Sequence, residues 1–77
     1  MSDFFVMLLL EAHNLQNEVV AINLDKVAKI YSSELLVNGK PGKITTFIYI
    51  DGSGEEVIED YEKVMNALSD YTSVISL

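Results

Sequence analysis

The densest alternation of apolar and polar residues lies in Val19–Ile30, VVAINLDKVAKI, and the rest of the chain reads outward from it. Before the polar corner Asn23-Leu24-Asp25-Lys26, residues Val20, Ile22 and Leu24 share one face of an extended strand. After it, Val27 and Ile30 resume the apolar run in a shifted register. That spacing alone would also fit a helix, but three or four residues cannot nucleate a stable one. The corner is therefore a bulge, a tight turn or a single helical turn, between strands at Glu18–Leu24 and at Val27 to about Ser32.

Upstream, residues 4–11 contain the run FFVMLLL, apolar on both faces, which predicts a strand that is central in its sheet or covered by a subunit contact. His13–Asn17 is a polar connection of hairpin length whose two asparagines tolerate left-handed backbone. Downstream, Leu35–Val37 either extends the third strand or covers the sheet edge. Asn38–Lys43, NGKPGK, predicts a loop, with positive φ supplied by Asn-Gly and a type II turn centred on Pro-Gly. Ile44–Asp51 has a period of two. It sets Ile44, Thr46, Ile48 and Ile50 on one face and Thr45, Phe47 and Tyr49 on the other. The predicted core comprises Ile22, Leu24, Val27, Ile48, Ile50, Val64 and Leu68.

Two readings fit the residues that follow. In one, Ser53 and Glu56 form a capping box and a helix starts at Ser53, its apolar stripe running from Val57 to Leu68. In the other, Asp51-Gly52 closes a hairpin, Glu55–Ile58 is a fifth strand, and Asp60 caps a helix over Tyr61–Ser69. Tyr71–Leu77 either frays or adds a last strand.

Length and charge narrow these options. Seventy-seven residues make one domain with a thin core. No cysteine is present, so disulfides and thiolate metal sites are excluded, and one histidine cannot build a multi-histidine site. The formal charge of −7 disfavours nucleic acid and anionic membrane and favours a basic protein partner. Seven apolar residues near the start are too few to span a bilayer, and no cationic segment precedes them. Membrane insertion is therefore not expected, and a cytoplasmic location is.

No constellation amounts to an active site. Asp51–Glu62 has acidic or polar residues at several calcium-loop positions. Glu56 stands where that loop needs glycine, so binding tighter than about millimolar is not expected. Gly52 and Gly54 form only a GxG, and the carboxylates beside them would repel phosphate. His13 reads as a surface loop histidine without an orienting partner. No cofactor is implied. The candidate partner-binding residues are Glu55, Glu56, Glu59 and Asp60, which form an acidic cluster, together with Phe47 and Tyr49. The last two would lie on a sheet face that one short helix leaves uncovered, and a homodimer would bury such a patch.

Two segments look like a known family. Ala21-Ile22-Asn23-Leu24-Asp25-Lys26-Val27-Ala28-Lys29-Ile30 resembles the V-N-x-D-x-I-x-x-I stretch of the small flagellar and swarming-motility proteins called FlbD-like. Ile48-Tyr49-Ile50-Asp51-Gly52 followed by Val57-Ile58-Glu59-Asp60-Tyr61-Glu62-Lys63-Val64 is similar to that family's I-x-L-x-x-G and V-x-E-S-x-x-E-V ending. Ser32–Lys43 stands where the family has a short connection. The resemblance implies a small β-sheet with a C-terminal helix and favours the fifth-strand reading.

The expected fold is thus α+β: a four- to five-stranded, mostly antiparallel sheet, flat or curled into a half-open barrel, with one C-terminal amphipathic helix. The expected function is a small non-enzymatic cytoplasmic protein, motility-related by the resemblance, that works through protein–protein contacts. The alternative is an acidic inhibitor, phage-encoded, that occupies a basic nucleic-acid-binding surface.

Overall fold

The computed structural model describes residues 7–36 and 39–77 in full, and the backbone of Val37. The part of the first predicted strand before Met7 lies outside the described residues. Five strands and one helix follow in order: β1 (Leu9–His13), β2 (Val19–Asn23), β3 (Val27–Val37), β4 (Lys40–Tyr49), β5 (Gly54–Val57) and α1 (Tyr61–Leu68). The strands form two antiparallel sheets, β1-β2 and β3-β4-β5, in place of one continuous sheet.

Each connection has a local cause. Between β1 and β2, Asn17 takes the left-handed backbone at φ 63°. The other asparagine works through its side chain: Asn14 Oδ1 accepts from the backbone N–H groups of Gln16 and Glu18. The corner is a 3₁₀ turn over Leu24–Lys26, and Asn23 Oδ1 caps it by accepting from Asp25 N–H. A bulge between Val27 and Lys29 shifts the register immediately afterwards, which explains the offset apolar run.

The predicted Asn38–Lys43 loop is mostly strand. Val37 pairs with Lys40, Leu36 with Pro41 and Leu35 with Gly42, so the chain reverses within two residues, with Gly39 at φ 75°. A Pro-Gly pair suggests a turn in isolation. Pro41 nevertheless fits a ladder position whose missing N–H would point away from β3. Leu35–Val37 accordingly extends β3.

At the other end of β4, the fifth-strand reading holds and the long helix does not form. Gly52 at φ 92° turns the chain, and Asp51 Oδ1 accepts from both the N–H and the hydroxyl of Ser53. Ser53 is therefore spent on the turn, and Asp60 caps α1 by accepting from Lys63 N–H at 2.8 Å. The segment after α1 makes no strand: Tyr71 and Thr72 N–H groups both close onto Leu68 O, and residues 73–77 are irregular and exposed.

The core gathers Ala12 and Ile22 from the first sheet, Phe47 and Val57 from the second, and Val64 and Leu68 from the helix. Two expectations are corrected here. Ile50 is 67% exposed, because β4 ends at Tyr49 and Ile50 enters the turn. Phe47 is fully buried, so the face it shares with Thr45 and Tyr49 is covered, and Ile44 and Thr46 on the other face are buried as well. Alternation separates the two faces of β4, but the helix, placed by tertiary packing, selects the face carrying the largest side chain. Leu24 and Val27 pack against the core while only partly buried, and Ile48 is likewise half-buried.

Candidate functional site

β1 and β2 make only one sheet, so something must fasten this hairpin to the rest of the chain. Part of that fastening is His13, at the end of β1. Its backbone N–H donates to Glu59 Oε1 at 3.0 Å, and its ring Nδ1 lies 2.6 Å from Glu59 Oε2. An ionised carboxylate only accepts, so Nδ1 carries the proton of this bond. His13 O in turn accepts from Ile58 N–H at 2.9 Å. Glu59 is gripped from behind as well, since Thr45 Oγ1 donates to its carbonyl at 2.8 Å.

Burial opposes charge on the Glu59 carboxyl, but the hydrogen bonds from the His13 ring and backbone outweigh it and hold its pKa below the ordinary carboxylate value. The expectation of an unpartnered loop histidine is thereby corrected. Residues 46 positions apart meet, and no local pattern signals such a pair.

The clamp closes one end of a groove between β1 and α1. One wall is the outer edge of Leu10–His13, and the other is the helical stripe of Lys63, Val64 and Ala67; the volume is about 270 Å³. A second hollow of about 370 Å³ shares Leu10 and Ala67 with the first and continues past Leu8 to Tyr71. Together they run the length of β1. The polar groups on the first stretch are Glu11, His13, Glu59 and Lys63, with no hydroxyl or thiol to serve as a nucleophile. Among the described residues, no three His, Asp or Glu side chains gather as a metal would require. No described helix is long and apolar enough to cross a membrane.

The six residues singled out from the sequence are not brought together. Glu55 lies opposite Phe47 and Glu56 opposite Thr46, so the two glutamates project from opposite faces of β5. Glu59 is bound to His13, and Asp60 caps the helix. Phe47 is core, which removes it from any exposed patch. Tyr49 packs against the core; burial pushes its phenol pKa up, and the carboxylates of Glu55 and Asp51 push it further. No local pattern in the chain signals the groove beside β1, because it depends on where α1 lands. No family model, curated protein or solved structure matches this chain.

Proposed function

We propose that this is a small non-enzymatic cytoplasmic protein that acts by binding protein, with the homodimer as its working unit and a motility role suggested by the FlbD-like resemblance. The observation that carries this reading is the groove beside β1. It is largely apolar and runs along a strand edge, and its polar rim offers a fastening pair in place of a nucleophile and its base. Edges of this kind suit main-chain recognition of another polypeptide. Light scattering across the micromolar range should return a dimer mass; a monomer mass throughout rejects the dimer.

The alternative, an acidic inhibitor occupying a basic surface, draws on exposed carboxylates at Asp51, Glu56 and Glu62. It is the weaker reading, because Glu59 and Asp60 serve the fold and Glu55 and Glu56 diverge. Its signature would be binding to a basic protein that weakens steeply with salt and is lost in Glu56→Lys.

A further inference from the structure

Among the described residues, the outer edge of β1 is open. Leu24 N–H donates to Leu8 O, and Asn14 N–H to Glu18 O, so the even-numbered residues of this segment bond towards β2. Leu9, Glu11 and His13 therefore direct their backbone groups the other way. His13 uses both of its groups, on Glu59 and Ile58. Glu11 and Leu9 have no backbone partner on that side among the described residues. Four consecutive residues, Leu10 to His13, line the groove, as expected where a cavity lies along a strand edge instead of over one face. An edge left this way is a template for another strand.

The segment after α1 has the opposite deficit. Residues 71–77, YTSVISL, contain no charged side chain and are rich in β-branched and aromatic residues. Tyr71 is 73% exposed and Ile75 88% exposed, and no strand forms there. Tyr71 lines the far end of the groove, yet its own chain does not turn back into it. The bonds from Tyr71 and Thr72 to Leu68 O carry the backbone across the groove's end, where Thr72 lies beside Leu24, Val27 and Ile30. The lengths agree: six residues from Leu8 to His13 span about 20 Å, and residues 73–77 extended span about 17 Å. Neutrality matters too, because each copy carries −7 and a charged acidic strand would be repelled.

We propose that residues 73–77 of a second copy add as a strand to the open edge of β1, each protomer of a two-fold dimer filling its partner's groove. This rests on the homodimer reading above and names its interface. Ile75 and its neighbours enter the apolar stretch between Leu10 and Ala67, and the backbone groups of Leu9 and Glu11 gain partners. The exchange is reciprocal, so one symmetry operation buries both grooves and both segments.

The test uses the full chain and two variants, followed by light scattering in the micromolar range. One variant lacks residues 73–77; the other is Glu11→Pro, which removes an outward N–H and leaves the β1-β2 ladder intact. Each should be monomeric while keeping the circular dichroism spectrum of the full chain. Mixed together, they should form a heterodimer, because one supplies the segment and the other the open edge. A full-length dimer that persists in both variants overturns this interface and leaves the dimer reading standing. A full-length monomer overturns both, and protection of residues 73–77 from hydrogen exchange in that monomer would show that each chain fills its own groove.

Discussion

The β1-β2 hairpin pairs five residues with five, whereas β3 and β4 pair along ten positions. The difference in length goes with a difference in what holds each pair. The distal half of the β3-β4 ribbon is set by local chemistry: a two-residue turn with Gly39 at positive φ and Glu34 opposite Lys43. Its Leu36 is exposed and contributes little to the core. The hairpin is the reverse case. Two short strands alone are marginal in water, and this pair persists because Ala12 and Ile22 are buried against the second sheet and helix and His13 is bound to Glu59. The ribbon's distal half is thus specified by near neighbours, and the hairpin by residues far along the chain.

The strongest way to break this contrast is at the shared core. Phe47→Ala should cost about 3–5 kcal/mol, comparable to the whole stability of a domain this size, and should detach the hairpin together with the helix. Urea unfolding would show it as a lost transition. Leu36→Ala on the ribbon should change the unfolding free energy by no more than about 0.5 kcal/mol. Equal effects from the two would erase the distinction between the regions.

Next in size is the clamp. Glu59→Ala leaves the His13 N–H unpaired and should cost about 1–3 kcal/mol at neutral pH. The folded-state pKa of Glu59 lies below its unfolded value. Its contribution is therefore present above the unfolded pKa and is lost as pH falls through the folded one. Acidification from neutral pH through the carboxylate range should thus destabilise the wild type more than Glu59→Ala. Parallel pH profiles would show that the clamp does not fasten the hairpin.

Asp60→Ala should cost about 1 kcal/mol through loss of the helix cap, and Asp60→Asn or Asp60→Ser should restore most of it. Without α1 in place the groove loses one wall, so amide protection in β1 should fall together with that of the helix. Gly39→Ala is a similar or slightly smaller change. Its added Cβ meets nothing within 4 Å, so about 1 kcal/mol of backbone strain at φ 75° is all it brings. Chemical shifts should move in β3 and β4 near the turn and stay put in β1 and β2; movement in the hairpin would contradict its independence from the ribbon.

One part of this protein is governed by neighbours along the chain. The periods of two in β2 and β4, the turns at Asn17, Gly39 and Gly52 and the Asp60 cap all follow from residues a few positions apart, and so do the antiparallel pairings they enforce. Where two local signals competed, the outcomes had different causes: Asp51 holds Ser53 and leaves Asp60 as the helix cap, whereas Pro41-Gly42 yields to the turn at Gly39 through the register of β4 on β3. Tertiary structure alone decided three things: the split into two sheets, the burial of Phe47 in place of Ile50, and the meeting of His13 with Glu59. Each depends on where α1 and the hairpin dock. Docking is settled by the volume and shape of the assembled core, a property of side chains brought together from all parts of the chain, to which no short window of sequence is sensitive.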